Sequence, residues 1–232
     1  MGTFIQVDPG GSNLRAYFAE AKGGKGPGVL LCHAWWGLNE FFTGLADRLA
    51  AEGYTVLAPD LYDGRIASTI PEAEALVTAF EEDGGEKGIA KEQAALDYLL
   101  GSSKVQRPGE GGHIGAIGFS MGANYVTWLA TLRPEIAAVV VYYGASDWNA
   151  DYHKNATAPL QGHWASDDQF ESNEEAVKAF EAELESSGHN PDFYTYPNTR
   201  HWFFESNRPE YNPEASKLAW ERTLAFLRQH LS

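Results

Sequence analysis

Short apolar or β-branched runs alternate along the chain with longer stretches in which apolar residues recur every three or four positions. Such alternation is the signature of strands interleaved with helices. Thr3–Val7 and Leu14–Ala21 read as two strands joined by the turn-rich segment 8–13. After the flexible segment 23–28 comes Val29-Leu30-Leu31-Cys32, an unbroken apolar run of the kind a strand buried on both faces shows. Phe41, Leu45, Leu49 and Ala50 fall at helical spacing within Glu40–Ala51, and Gly53 ends that helix. Tyr54–Ala58 is the next buried strand. Pro71–Leu100 is helical in character but broken at Asp83-Gly84-Gly85, which predicts two helices. Strands are predicted at Gly115–Phe119, Ala138–Tyr143, Pro159–Trp164 and Asp192–Tyr196, and a helix from Met121 to about Leu132. Ser172-Asn173-Glu174-Glu175 fits a capping box opening a helix to about Ser186. Asn212-Pro213 sets a cap before a first-turn proline, starting a last helix to about Gln229.

Strand–helix alternation of this kind predicts an α/β architecture: a mainly parallel central sheet with helices on both faces. The two opening strands, joined by a short turn, form an antiparallel edge. No stretch is composed like a linker, so residues 1–232 are expected to form a single domain.

Composition narrows the function classes. The 232 residues are 44 % hydrophobic and carry a net charge of −15, one cysteine and seven tryptophans. The acidic balance argues against sequence-independent nucleic-acid binding and against docking on anionic membranes, both of which need basic patches. A lone Cys32 excludes an internal disulfide framework and Cys-rich metal sites. The N-terminus lacks the pattern of a signal peptide, and the longest apolar run, Ala137–Tyr143, is too short to span a bilayer. A cytoplasmic location is expected.

The chemistry-bearing motif is Gly118-Phe119-Ser120-Met121-Gly122, a G-x-S-x-G sequence set between a buried strand and a helix. A chain that reverses from strand to helix in one residue forces the serine into strained backbone angles. It also leaves no room for side chains two positions before and two after, which glycine satisfies. The helix from Met121 aims its free amides at any negative charge that develops beside Ser120.

A serine hydroxyl needs a general base, itself oriented by a third group. In hydrolases built around this elbow the chain order is nucleophile, acid, base. Among the downstream histidines, His230 sits near the end of the last helix and His189 in a turn before a strand. His163 lies inside a strand, where a buried, hydrogen-bonded histidine is expected, and His153 falls in a loop whose place is open. His201 lies in the segment leaving the last strand, where a base belongs. The acid should follow the strand Pro159–Trp164, and spacing leaves Asp167 and Asp168 open.

Cys32–Asn39 with its His33-Ala34-Trp35-Trp36-Gly37 core, Pro59-Asp60-Leu61-Tyr62, the elbow, Gly162-His163-Trp164 with Asp168 and Phe170, and His201-Trp202-Phe203 together resemble the dienelactone hydrolase family of α/β-hydrolases. So do Arg208–Asn212 and Ala219–Thr223, and the resemblance covers nearly the whole chain in order. It implies the α/β-hydrolase fold, Asp168 as the acid, and oxyanion donors in the backbone amides of Met121 and Trp35. Three departures accompany it. Family members that open dienelactones use cysteine where this chain has Ser120, and a gating glutamate where it has Ala34. They also grip the substrate carboxylate with arginines, whereas Pro71–Asp83 has neither Arg nor Lys and Glu205 follows the base.

The expected function is therefore hydrolysis of carboxylic esters or lactones through an acyl-enzyme, with Ser120, His201 and Asp168 as the catalytic set. Trp36, Tyr143, Trp202 and Phe203 are the expected substrate pocket, suited to a neutral, partly apolar small molecule. Dienelactone hydrolysis proper and a non-catalytic binder on the same fold are the rivals. No cofactor is required. A metal site from His33, His163 and Asp167 lacks any usual ligand spacing. The sequence does not set the oligomeric state.

Overall fold

The computed structural model describes residues 1–7, 13–106, 113–144, 155–170 and 173–231. Eight strands form one sheet: β1 (Thr3–Val7), β2 (Leu14–Ala19), β3 (Gly28–Cys32), β4 (Thr55–Pro59), β5 (Ile114–Phe119), β6 (Ile136–Tyr142), β7 (Leu160–Asp167) and β8 (Asp192–Arg200). Their spatial order is β1-β2-β4-β3-β5-β6-β7-β8. The helices described are α1 (Glu40–Ala51), α2 (Ile70–Phe80), α3 (Glu86–Gly101), α4 (Met121–Leu132), α5 (Glu174–Ser186) and α6 (Pro213–Leu231).

β1 pairs antiparallel with β2, and β2 pairs antiparallel with β4; from β4 onward every pairing is parallel. The antiparallel edge is thus two strands deep, because β2 docks on β4 as well as closing the hairpin. β3, β4 and β5 are buried at every position, as strands covered on both faces must be. Alternate residues feed two cores: Leu30 and Cys32 belong to the one that also holds residues of α3, α4 and α5, Val29 and Leu31 to the one that holds residues of α1 and α6.

Helix ends follow local chemistry. Asn39 caps α1 by accepting from the Phe41 and Phe42 amides. A complete capping box at Thr69 and Glu72 opens α2. The expected box at Ser172 does not open α5. The cap is Asn173, whose side chain accepts from the Ala176 amide, and Ser172 lies outside the described residues. At α6, Asn212 Oδ1 accepts from the Ala215 amide at 3.1 Å, as the Asn-Pro pair predicts.

β7 and β8 run further than their apolar patterns suggest, to Asp167 and Arg200. A register shift between Ala165 and Asp167 lets pairing resume at Asp167 and Arg200 beyond the irregularity. That extension carries both strands to the rim of the sheet where the site is built.

Candidate active site

The rim in question is formed by the C-terminal ends of β3, β5, β6, β7 and β8. At the end of β5 the chain turns into α4 within one residue, and Ser120 adopts φ 51°, ψ −118°. The turn is this tight because the neighbouring glycines permit it. A Cβ on Gly118 would lie 2.3 Å from the Gly122 carbonyl oxygen, and one on Gly122 would lie 2.5 Å from that of His33.

Ser120 Oγ is 2.9 Å from His201 Nε2, and His201 Nδ1 is 2.7 Å from Asp168 Oδ2. Both the imidazole and the carboxylate are almost wholly buried. Nδ1–H donates to the carboxylate, leaving Nε2 to accept from the serine hydroxyl, the tautomer a general base requires. Asp168 is held in turn by the Phe170 amide, which donates to Oδ1 at 2.9 Å. Its neighbour Asp167 points away, is exposed, and pairs with Arg200 at 3.2 Å. Adjacent strand-end residues face opposite sides, so only one of the two carboxylates meets the imidazole.

A cavity of about 220 Å³ opens over Ser120, lined by Trp35, Val77, Glu81, Met121, Asn124, Tyr143, Gly144, Phe170 and His201. Trp35 and Met121, the residues expected to supply oxyanion amides, both belong to this lining with Ser120. Among the described residues the Trp35 amide has no backbone acceptor. Of the four residues expected to form the pocket, Tyr143 lines it. Trp36, Trp202 and Phe203 do not: each is at most 1 % exposed and packs behind the wall. Trp36 and Trp202 meet edge-to-face at 5.1 Å, with the Arg208 guanidinium stacked over both rings. Phe203 packs against Tyr143 and Tyr196. Their indoles and ring are support for the cleft, not its surface.

Behind Tyr143 lies an unexpected group. Tyr143 has φ 39°, packs at a tilt with its ring centroid 4.8 Å from that of His201, and donates its hydroxyl to Glu205 Oε1 at 2.9 Å. Glu205 is fully buried, so it does not face substrate as its place after the base had suggested. Burial pushes its carboxyl up to about 8 against the partial relief given by the Tyr143 hydroxyl and Arg208. A second buried acid, Glu92 of α3, is pushed up to about 7 by burial beside Cys32. That thiol is itself buried and held in its neutral form by burial and by Glu92, so it is a packing residue.

The remaining histidines have other partners. His33 Nδ1 donates to the Ala34 carbonyl at 2.7 Å, and its Nε2 accepts from the Leu61 amide at 3.2 Å, tying the loops after β3 and β4 together. His163 is buried among Tyr196, Gln161 and Thr223, and burial lowers it to about 3. His153 lies outside the described residues. Among the described residues no three His, Cys, Asp or Glu side chains gather as a metal site, and no helix is long and apolar enough to cross a membrane.

Val77, Glu81 and Asn124 were missed by the sequence reading. A signal existed: Asn124 follows Ser120 by one helical turn, and Val77 and Glu81 are one turn apart at the end of α2.

The model of the dienelactone hydrolase family matches residues 14–231. The chain belongs to the dienelactone hydrolase family. Among curated relatives, "Protein usf" of Aquifex pyrophilus is 30 % identical over 237 residues, covering all of both chains. A solved dienelactone hydrolase from Anabaena variabilis shares the fold with a TM-score of 0.73 at 18 % identity, over 100 % of this chain and 99 % of its own. P91, a dienelactone hydrolase-like promiscuous phosphotriesterase from metagenomic libraries, superposes with a TM-score of 0.85 at 21 % identity, with coverage of 100 % and 99 %. Family membership makes this dienelactone hydrolase relative a hydrolase of the ester and lactone type.

Proposed function

We propose that the chain works as a single α/β-hydrolase domain that cleaves carboxylic esters or lactones of small molecules through a covalent acyl-enzyme. Ser120 Oγ attacks the carbonyl carbon while His201 Nε2 takes its proton. Asp168 holds the imidazole and stabilises the cation that forms. The oxyanion is received by the amides of Met121, at the positive end of α4, and Trp35. Each such donor contributes about 3–4 kcal/mol in comparable sites. The imidazolium then protonates the departing alkoxide. Water, deprotonated by the same His201, attacks the acyl carbon, and Ser120 leaves with the proton restored.

The observation that carries this reading is the chain of contacts from Ser120 to His201 at 2.9 Å and from His201 to Asp168 at 2.7 Å, beneath an open cavity. Trp35, Val77, Met121 and Phe170 supply the apolar part of a wall whose polar part comes from Glu81, Asn124, Ser120 and His201, which suits a small ester or lactone with both apolar and polar groups.

The test is Ser120→Ala assayed on p-nitrophenyl acetate and butyrate. Turnover is expected to fall by about 10⁴ or more, and a fluorophosphonate probe that labels the wild-type chain should leave the variant unlabelled. Activity kept within a few fold, or equal labelling of the two proteins, would refute the scheme. A protein that only binds its ligand would show neither turnover nor labelling.

A further inference from the structure

Of the side chains lining the cavity, Ser120, His201 and Tyr143 spend their polar atoms on one another, on Asp168 or on Glu205, and Glu81 accepts from the Tyr125 hydroxyl at 3.4 Å. Asn124 does not. It lies on α4 one turn beyond Ser120 and lines the cavity together with Val77 of α2 and Glu81, the residue that caps that helix. Its Oδ1 is buried without a hydrogen-bond partner, although the same residue's backbone carbonyl is engaged by the Thr127 hydroxyl at 2.9 Å. A second lining residue, Trp35, likewise keeps a buried Nε1–H without an acceptor. An apolar cleft meant for plain alkyl chains gains nothing from a carboxamide there. A polar atom held buried and unpaired is a standing cost to the empty site, and a substrate group that bonds the carboxamide removes it.

We propose that Asn124 is a specificity-determining residue that hydrogen-bonds a hydroxyl on the substrate, so that the preferred substrates are hydroxylated esters or lactones. The inference rests on the hydrolase reading given above. The geometry constrains where the hydroxyl lies. Side chains one helical turn apart are about 5–6 Å from each other, so the substrate hydroxyl sits close to the reacting carbonyl rather than at the far end of a chain. A hydroxyl can both donate and accept, so it satisfies the carboxamide whichever way that group is turned. Sites built to bond a substrate hydroxyl discriminate strongly against analogues that lack it, because their own buried polar group is then left unpaired.

The experiment measures kcat/KM for matched pairs. On the acyl side these are p-nitrophenyl butyrate against p-nitrophenyl 2-hydroxybutyrate and 3-hydroxybutyrate. On the alcohol side they are propyl butyrate against 2-hydroxyethyl butyrate, followed by pH-stat. In the wild type at least one hydroxylated ester should exceed its plain partner by about tenfold or more. In Asn124→Leu that ratio should collapse toward one, through a loss on the hydroxylated ester and a gain on the plain one. Wild-type ratios within twofold of one in every pair would overturn the proposal. So would a preference that survives in Asn124→Leu. Turnover of no ester above the Ser120→Ala background would instead overturn the hydrolase reading, and this inference with it.

Discussion

Glu205→Gln offers a quantitative check on the electrostatics beneath the site. The carboxyl is fully buried, its Oε1 is satisfied by Tyr143, and its Oε2 has no partner among the described residues. Burial lifts it from an ordinary 4.5 to about 8. The unfolded chain ionises this carboxyl freely above pH 4.5, while the folded chain holds it neutral until about pH 8. A group raised in this direction favours folding below its unfolded value, and that advantage drains away as pH climbs through the window between the two. The slope is about 1.4 kcal/mol per pH unit, which makes the penalty on the order of 3 kcal/mol at pH 7 and somewhat more above pH 8. Glutamine keeps an oxygen for the Tyr143 hydroxyl and has nothing to titrate. Urea unfolding followed by tryptophan fluorescence at pH 5, 6.5 and 8.5 should therefore show the variant close to wild type at pH 5 and increasingly more stable than it toward pH 8.5. Glu92 adds a slope of its own over pH 4.5 to 7, but it is common to both proteins and cancels in the difference. An offset that is the same at all three pH values would refute the reasoning, because it would mean that Glu205 is hydrated or ionised in the folded state.

Two further substitutions pairs test geometry. Asp168→Asn, which leaves the shape but disturbs the imidazole tautomer, should lower kcat by about 10³–10⁴, whereas Asp167→Asn, at an exposed ion pair with Arg200, should stay near wild type; steady-state kinetics on one p-nitrophenyl ester decides. Gly122→Ala drives a methyl to 2.5 Å from the His33 carbonyl oxygen and should cost about 3 kcal/mol or more. Gly44→Ala, in the exposed middle of α1 with open space around it, should gain up to about 1 kcal/mol; thermal melts of the two variants should move in opposite directions.

The layout of elements was legible because each apolar period is clean: α1 and α4 begin and end where the spacing says. The pairing of Ser120 with His201 could be anticipated because G-x-S-x-G dictates its own backbone and because chain order points to the segment after the last strand; the two side chains lie 2.9 Å apart. Spacing could not separate Asp167 from Asp168, since which of two adjacent side chains turns inward depends on a bulge at Ala165 that no residue type announces. The pocket was misread for a related reason. An aromatic residue near a strand end carries no mark of whether it faces the cleft or the layer behind it, and Trp36, Trp202 and Phe203 take the second course. Glu92 was available in principle: it shares the Ile89, Leu96 and Leu99 stripe of α3, so its burial follows from helical period alone. Glu205 had no such signal, because its burial depends on the turn after His201.

The backbone marks the same rim without reference to any motif. Six described residues other than glycine have positive φ: Asn13, Asp63, Ser120, Tyr143, Asn198 and Trp202. Asn and Asp visit that region at little cost, so three of the six are ordinary turn residues. Ser120, Tyr143 and Trp202 are not of those types. They follow β5, β6 and β8, and they border or back the one cavity that opens over Ser120. Strain of this kind, about 1–3 kcal/mol per residue, persists only where surroundings over-determine it. The Ser120 amide donates to the Tyr142 carbonyl, the Tyr143 amide to that of His163, and the Trp202 carbonyl accepts from the Glu205 amide, each at 2.9 Å. Every strained residue is thus pinned by a bond to a neighbouring strand or to the next turn. Such strain gathers at catalytic sites and at ligand clamps alike, where side chains must be held at fixed distances. The concentration of unfavourable angles at this rim therefore marks it as the functional face of the sheet, on grounds independent of the serine motif itself.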